Sequence, residues 1–130
     1  GSVSLPQFFN QELAMFRRGF YHREHMEALA QGLGIEPNIG FESNLIPLLK
    51  AVVRQGFAVT TFLRMALEEE TTLSGIPFAP PIFLDLCVAW RRGDPLSMAN
   101  RALRDFLLAQ AKPEPTPDGA LRDNNLRDNR

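Results

Sequence analysis

The sequence predicts an α/β domain in which helices flank a mostly parallel sheet. Two observations support this fold class: an amphipathic helix pattern that ends at Gly34 is followed by a short apolar strand, and a second helix pattern that ends at Gly56 is followed by another. Strands that alternate with helices favour parallel pairing, since each helix returns the chain to the starting edge of the sheet. Ligands of such sheets bind beyond the carboxyl ends of the strands, near helix N-termini.

Three elements are predicted before Gly34. Residues 3–12 favour a turn or a short helix, and residues 13–21 favour a strand with Gly19 at its carboxyl end. The first clear helix covers about residues 22–33, because apolar side chains recur at i, i+3, i+4 and i+7. The predicted apolar stripe consists of Met26, Leu29, Ala30 and Leu33.

Charged and terminal residues complete this helix pattern. Arg23 and Glu27 are four residues apart and are expected to pair on the solvent side. Gly34 suits the left-handed conformation that follows a helix end, and Pro37 cannot continue a helix. The helix is therefore expected to end at Gly34.

The next predicted unit is a strand over residues 38–42 followed by a helix. Ile39 and Phe41 lie on the same predicted side of the strand. Ser43 is expected to be the N-cap, because its hydroxyl can accept from an unpaired backbone N–H, and Pro47 is tolerated in the first turn. The predicted buried stripe consists of Leu45, Leu48, Leu49, Val52 and Val53.

Apolar and turn-rich segments then alternate. Residues 57–62 are β-branched and aromatic, which favours a buried strand, and residues 63–70 favour a short helix. Residues 71–81 are rich in glycine and proline and predict turns. Residues 82–90 are predicted to form the longest strand.

A last helix is predicted from Ser97, as its N-cap, to about Gln110. Its apolar stripe consists of Ala99, Ala102, Leu103, Phe106 and Leu107. Residues 3–111 are expected to form the folded domain. Residues 112–130 contain three prolines and few apolar side chains, which predicts a disordered tail. Residues 1–2 resemble a cloning remnant.

Composition narrows the class of protein. A chain of 130 residues corresponds to about one domain, and 45% apolar and 22% charged residues are ordinary for a globular protein. A net charge of −1 argues against a nucleic-acid-binding module, and no apolar run reaches the ~20 residues of a membrane span. The single cysteine, Cys87, is expected to be a buried thiol, and the absence of a secretory signal favours the cytoplasm.

Three predicted strand-to-helix turns carry candidate ligand-binding residues. The first turn combines two arginines with a helix N-terminus, which together would hold a carboxylate. A solvated turn with one surface ion pair is the alternative. The candidates in this turn are Arg17, Arg18, Gly19, Phe20, Tyr21 and His22.

The other two turns add hydroxyl and amide groups. Ser43 and Asn44 follow the second strand, where Ser43 would also serve as the helix cap. Glu42 is expected to orient neighbouring groups, because a carboxylate would repel an anion. The candidates of the third turn are Thr60, Thr61 and Phe62. Plain β-propensity is the alternative explanation for the two threonines.

No metal site, cofactor or catalytic constellation is predicted. His22, Glu24 and His25 are close in sequence, but zinc sites need three or four converging ligands and the chain has no other histidine. No nucleophile-elbow serine or phosphate-binding loop occurs, and no plausible base flanks Cys87. The chain is therefore not expected to be an enzyme.

Four segments carry a resemblance to a known family. They are R-x10-G-I-x-P from Arg23 to Pro37, the strand end Phe41-Glu42-Ser43, LLKAVVRQGFAVTTFL at residues 48–63, and LCVAWRRGDPLSMANRALRDFL at residues 86–107. In this order they resemble the effector-binding domain of LysR-type transcriptional regulators. Ala58 and Leu63 depart from the family pattern, which has glycine and proline there, so the following loop is expected to take a different path.

The resemblance implies one lobe of a two-lobed fold like that of periplasmic binding proteins, plus a C-terminal strand and helix that return to the other lobe. It implies a bacterial, cytoplasmic ligand-sensing domain that binds a small, often anionic effector and contacts DNA only through another domain. The DNA-binding domain and the first lobe are missing from this sequence. We therefore expect a truncated fragment, engineered or proteolytic, with weak effector affinity.

Two other functions stay open. The chain could be a lobe of a solute-binding transport receptor, or a small α/β enzyme of unnamed reaction that uses the turn at residues 17–22. Truncation would also expose the apolar face of the last helix, which we expect to fold onto the sheet or to mediate dimerisation. The contact residues would be Ala99, Leu103, Phe106 and Leu107.

Overall fold

The computed structural model describes residues 1–84, 89 and 96–110, and the backbone of residues 121–122. The chain divides into two compact units, Gly1–Pro81 and Ile82–Arg130. Each unit has its own parallel strand pair and at least one helix.

A small parallel sheet forms the centre of the first unit. β1 (Leu13–Met15) pairs in parallel with β2 (Ile39–Glu42), and on its other side Leu13 forms a parallel bridge with Val59. Two backbone hydrogen bonds of 2.9 Å flank this bridge. The predicted parallel arrangement is confirmed for these three segments, with β1 in the middle.

Two helices connect the three parallel segments. α2 (Tyr21–Gly32) joins β1 to β2, and α3 (Ile46–Arg54) joins β2 to the segment around Val59. Gly34 and Gly56 follow these helices with φ angles of 66° and 76°, the left-handed conformation in which glycine has no steric penalty. Both predicted helix ends are confirmed.

The core of this unit lies around β1. Leu13, Ala14 and Met15 are at most 2% exposed, because a parallel segment flanks β1 on each side and α3 packs against it. Ala14, Phe16 and Leu49 form one buried cluster. The side chains packed against it are Phe41, Val52, Ala58 and Phe62. Burial of a leucine or phenylalanine contributes about 1.5–3 kcal/mol, so this cluster holds α3 on the sheet.

Two short helices complete the first unit. α1 (Leu5–Phe9) falls within the predicted lead-in segment and begins with a capping box, in which Ser4 and Gln7 each bond the backbone of the other. A 3₁₀ helix (Arg64–Leu67) lies inside the short helix predicted over residues 63–70. The short helix is therefore confirmed only as a single tight turn.

A charged network attaches the loop after the 3₁₀ helix to α3. The carboxyl of Glu70 accepts hydrogen bonds from the hydroxyl and N–H of Thr72. Lys50 and Arg54 of α3 each reach the same carboxyl at 3.3 Å. The bonds from Thr72, followed by those from Lys50 and Arg54, lower the pKa of Glu70 to about 2.

Two predicted strands are shorter than expected. The strand predicted over residues 13–21 ends at Met15, because the chain turns at Gly19, whose φ is 90°. The strand predicted over residues 57–62 pairs with the sheet only at Val59, and Phe57 before it is 70% exposed.

The second strand agrees with the prediction, but the helix after it starts later. Ile39 and Phe41 are half-buried, as the predicted alternation requires. Ser43 is not the N-cap of α3, because Leu45 occupies that position. The Oγ of Ser43 accepts from the Leu45 N–H at 3.1 Å, so this hydroxyl stabilises the turn before the helix.

Some side chains of the predicted stripes are exposed. Leu33 at the end of α2 is 47% exposed, and Leu45 and Leu48 at the start of α3 are 64% and 43% exposed. The members that are buried are Met26, Ala30 and Leu49. A sheet of three short segments covers too little of each helix to bury a whole stripe.

The second unit contains two strands of two residues and one helix. β3 (Ile82–Phe83) pairs in parallel with β4 (Leu121–Arg122), so these last two residues differ from the predicted disordered tail. Most of the strand predicted over residues 82–90, including Cys87, lies outside the described residues. The rest of the predicted tail also lies outside them.

The predicted last helix is present as α4 (Met98–Gln110). Ser97 is confirmed as its cap, since its Oγ accepts from the Asn100 N–H at 3.1 Å. The predicted stripe is exposed along its length, with Leu103 and Phe106 at 57% and 60%. The described residues do not bury this stripe, and association with a second copy stays a prediction. Within the described residues, no helix has the length and apolar content that crossing a bilayer requires.

Candidate functional site

The three predicted turns meet at the carboxyl edge of the sheet. We call this edge the rim; it comprises residues 16–22, 42–44 and 60–62, which follow the three parallel segments. The Arg17 N–H donates to Asn44 Oδ1 at 3.0 Å. This hydrogen bond joins the first turn to the second.

The first and third turns are joined by an aromatic contact and a hydrogen bond. The rings of Phe16 and Phe62 meet edge to face, with 6.0 Å between their centroids. His22 Nε2 lies 2.8 Å from Thr61 Oγ1, within hydrogen-bond distance. The expectation that the three turns converge is thereby confirmed.

The first turn presents an arginine side chain to solvent. The Phe20 N–H donates to the Arg17 carbonyl at 3.4 Å, and Gly19 has the positive φ that the third residue of a type II turn requires. Arg17 is exposed, and no carboxylate of the described residues lies within ion-pair distance of it. Arg18 instead pairs with Glu27 at 3.3 Å.

α2 begins at the rim without a side-chain cap. Phe20 occupies the N-cap position and makes no side-chain hydrogen bond to the first turn, and Phe20 and Tyr21 are 44% and 46% exposed. Glu24 Oε1 accepts from the Gly19 N–H at 2.8 Å. A helix N-terminus carries partial positive charge. The first turn therefore combines that charge with the guanidinium of Arg17 and one carboxylate that is already hydrogen-bonded.

Arg23 is buried behind the rim and links its parts. Its side chain is 3% exposed. Its Nη1 donates to the Phe16 carbonyl at 2.8 Å and to Glu42 Oε1, and its Nε donates to Glu27 at 2.9 Å. The predicted pairing of Arg23 with Glu27 is confirmed, but its predicted place on the solvent side is wrong.

Ion pairing outweighs burial in the charge state of this cluster. Burial lowers the pKa of Arg23, but its hydrogen bonds to Glu42 and Glu27 raise it, and the net change is upward. Burial raises the pKa of Glu27, whereas the hydrogen bond from Arg23 lowers it, and the net change is downward. Arg23 is therefore held as a cation, and Glu42 is one of the two carboxylates that fix its position.

The second turn contributes one buried and one exposed polar side chain. The Ser43 N–H donates to the Met15 carbonyl at 3.0 Å, and Ser43 is only 7% exposed. Asn44 is exposed, and its amide oxygen fixes the backbone of Arg17. Of these two candidates, Asn44 is the one whose side chain is accessible at the rim.

The two threonines of the third turn have different environments. Thr61 is 7% exposed, and its hydroxyl is hydrogen-bonded to His22. Thr60 Oγ1 is buried and has no hydrogen-bond partner among the described residues. A buried hydroxyl without a partner is destabilising. The third turn thus contains a polar atom whose hydrogen-bonding capacity the described protein atoms do not use.

Both histidines favour the neutral form. Burial lowers the pKa of His22, and the charge of His25 lowers it further. Burial also lowers the pKa of His25. A neutral imidazole carries one donor and one acceptor nitrogen. His22 can therefore either donate a hydrogen bond to the Thr61 hydroxyl or accept one from it.

Metal ligands do not gather at the rim in the part of the chain that the structure describes. No group of three histidine, cysteine, aspartate or glutamate side chains is placed there to hold an ion, and His22, Glu24 and His25 form none. An open depression of about 410 Å³ lies beside α2, lined by residues between Arg18 and Pro37. It shares only Arg18 with the candidate ligand-binding residues.

The sequence contained a signal for the burial of Arg23 that the prediction missed. Arg23 precedes Met26 by three residues and Ala30 by seven, so all three share one face of α2. A cation on an apolar helix face indicates carboxylates close by. Glu27 and Glu42 are those carboxylates.

Comparison with known families identifies one match. A family model described as LysR substrate binding domain matches residues 1–112. Comparisons with curated proteins and with solved structures gave no match. The matched residues include all three turns of the rim, and they include α4.

Proposed function

Because the chain belongs to the LysR substrate binding domain family, we propose that it is a ligand-sensing regulatory domain that binds a small anionic effector at the rim. Domains of this family regulate and do not catalyse, which supports a sensor over an enzyme. The family also supports an α/β fold like that of periplasmic binding proteins, of which this chain forms one lobe in our proposal. The family match favours this function over a transport receptor.

One observation carries the proposal: the three turns converge at one edge of the sheet, and the first of them carries an exposed arginine that has no carboxylate partner among the described residues. Arg17 is exposed, and the Asn44 side chain fixes its backbone at 3.0 Å. A guanidinium offers a planar fork of donors that matches a carboxylate. The uncapped start of α2 adds partial positive charge on the same turn.

The carboxylates near the rim are already engaged. Glu42 and Glu27 accept from Arg23, and Glu24 accepts from the Gly19 N–H. Their charges are therefore partly compensated within the protein. The guanidinium of Arg17 has no carboxylate partner in the part of the chain that the structure describes, which supports an anionic effector.

An NMR titration with a matched acid and amide tests this proposal. Cyclohexanecarboxylate and the neutral cyclohexanecarboxamide share one ring and differ in charge. We expect the acid to shift backbone amide signals of the rim, including that of Gly19, and the amide to leave them unchanged. Equal shifts with both compounds would contradict an anion site.

A pair of arginine variants locates the site. Arg17→Gln is expected to weaken binding of the acid by about 3- to 10-fold, since it removes the rim charge. Arg54→Gln removes the same charge from the last turn of α3, roughly 12 Å along the helix from its start, and is expected to leave binding unchanged. Equal weakening by the two variants would place the anion elsewhere.

We also propose that the effector alters DNA binding where this domain is joined to a DNA-binding domain. An effector shifts an equilibrium between two arrangements only through its different affinities for them. The coupling is reciprocal, so DNA would change effector affinity by the same factor. The measurement is the DNA affinity of such a two-domain protein with and without the effector, and identical affinities would contradict the coupling.

A further inference from the structure

We propose that the rim selects effectors in which a flat, unsaturated ring carries the carboxylate. This inference rests on the proposed function and adds the chemical class of the effector. It starts from Phe20 and Tyr21, two exposed aromatic side chains at the start of α2. A second ring stacks against each of them.

Phe20 is held as an open aromatic surface. Its ring stacks on Phe16, with 7° between the planes and 5.7 Å between the centroids, while 44% of Phe20 stays exposed. Phe16 is only 7% exposed and is fixed by Phe62 at 6.0 Å and His22 at 5.2 Å. A buried ring thus stacks against Phe20, and in this proposal the exposed part of Phe20 contacts the ligand.

Tyr21 extends this surface. Its ring stacks on His25 with 20° between the planes and 6.1 Å between the centroids, and Tyr21 is 46% exposed. A side chain already held by stacking loses less rotamer freedom when a ligand binds. The stacked rings of Phe20 and Tyr21 are therefore suited to contact a ligand at low entropic cost.

The turn at residues 17–20 brings the backbone of Arg17 close to that of Phe20. The Phe20 N–H donates to the Arg17 carbonyl, and a turn of this kind keeps its first and fourth Cα atoms within about 7 Å. Gly19 permits this turn through its φ of 90°. A ligand in which a planar ring carries a carboxylate can therefore stack that ring on Phe20 while the carboxylate binds Arg17.

Ring chemistry distinguishes this arrangement from a general apolar patch. Aromatic pairs attract each other beyond the area they bury, because the ring faces and edges carry opposite partial charges. A saturated ring of the same size lacks a flat face and gains only from burial. The rim should therefore bind an aromatic acid more tightly than its saturated counterpart.

The test compares benzoate with cyclohexanecarboxylate, which have the same charge and the same number of ring carbons. Both are titrated into the protein while backbone amide shifts are followed by NMR. We expect benzoate to bind about 3- to 10-fold more tightly.

Three variants assign the preference to Phe20. Phe20→Leu is expected to weaken the binding of benzoate but not that of cyclohexanecarboxylate, and so to remove the preference for benzoate. Phe20→Tyr keeps an aromatic ring and is expected to keep that preference. Phe57→Leu is the matched control, because Phe57 is 70% exposed and precedes Val59 at the end of that segment opposite to the rim. This control is expected to keep the preference unchanged.

The outcomes separate the two proposals. Equal affinity for the two acids, or a preference that survives in Phe20→Leu, would overturn ring selection and leave the anion-binding function standing. A failure of both acids to bind would overturn both. A benzoate preference that Phe20→Leu removes and Phe57→Leu keeps would support ring selection.

Discussion

Arg23 and Glu42 form an ion pair although nineteen residues separate them in the chain. The Nη1 of Arg23 donates to Glu42 Oε1 and also to the Phe16 carbonyl at 2.8 Å. The pair therefore links the start of α2 to the carboxyl ends of β1 and β2. Arg23 is 3% exposed and Glu42 is 44% exposed, so one partner is buried and the other is partly hydrated.

Arg23→Leu is expected to lower the free energy of unfolding by about 2–4 kcal/mol. The substitution leaves Glu42 and the Phe16 carbonyl without the Arg23 donor, and it leaves Glu27 with only its contact to Arg18. The partial hydration of the two carboxylates keeps the loss below that of a fully buried pair. Urea denaturation followed by circular dichroism measures the change. If the midpoint falls while the slope of the unfolding free energy against urea concentration stays the same, then the variant has lost stability without a change in the surface exposed on unfolding.

Arg18→Leu is the control for this prediction. Arg18 also contacts Glu27, but its side chain is 77% exposed, so its loss is expected to cost less than about 1 kcal/mol. If the two variants were equally destabilised, the buried position of Arg23 would contribute nothing specific.

The two threonines of the third turn are expected to respond to valine in opposite ways. Thr61→Val removes the hydrogen-bond partner of the partly buried His22 and is expected to destabilise the protein by about 1–2 kcal/mol. Thr60→Val removes a buried hydroxyl that has no partner among the described residues, so it is expected to be neutral or stabilising. Urea midpoints of the two variants test this, and a larger loss for Thr60→Val would contradict the assigned hydrogen bonds.

Lowering the pH from about 7.5 to about 5.5 is expected to destabilise the protein through His22. Burial, followed by His25, lowers the pKa of His22 in the folded state. Below about pH 6.5 the unfolded chain therefore binds a proton that the folded state resists, and the free energy of unfolding falls as the pH decreases. The carboxyl of Glu27 has an ordinary pKa of 4.5, which the fold lowers. Its protonation therefore changes the free energy of unfolding only below this pH range.

The pH effect is measured as the difference between the urea midpoints at the two pH values. His22→Gln is expected to reduce that difference, while His25, whose pKa burial also lowers, maintains part of it. An identical pH dependence in the variant would exclude His22 as its source.

Two glycines near the end of α2 are expected to behave differently when replaced by alanine. Gly34→Ala is expected to cost about 1 kcal/mol, because Gly34 has a φ of 66° and an added Cβ meets no atom within 4 Å, so the cost is in the backbone. Gly32→Ala is expected to stabilise by up to about 0.5 kcal/mol, since Gly32 is the last residue of the helix and an added Cβ meets no atom within 4 Å. Thermal denaturation of both variants measures these changes, and equal shifts would contradict a backbone origin.

α4 is expected to mediate self-association through its exposed stripe. Phe106→Glu places a charge on the stripe and is expected to shift the protein toward the monomer in sedimentation or light scattering. Leu108→Glu is a matched control, because Leu108 is also 60% exposed but projects from the opposite side of the helix. A wild-type protein that is monomeric at all concentrations would rule this association out.

Local patterns in the sequence were sufficient to locate most helices and the rim. The spacing of Met26 and Ala30 located α2, Gly34 marked its end, and Ser97 marked the start of α4. These signals act over one or two helical turns, so the residues that cause them are close together in the sequence. The three candidate turns also followed from strand and helix order, since parallel strands place their carboxyl ends at one edge.

Burial and pairing depended on contacts between residues far apart in the chain. Arg23 is buried because Glu42 and the Phe16 carbonyl meet it there, and only the fold brings them together. Ser43 stabilises a turn instead of capping α3, and Val59 alone joins the third segment to the sheet. The free energy of burying a charge or ending a strand depends on which partners lie nearby in space. The order of residues along the chain does not contain that information directly.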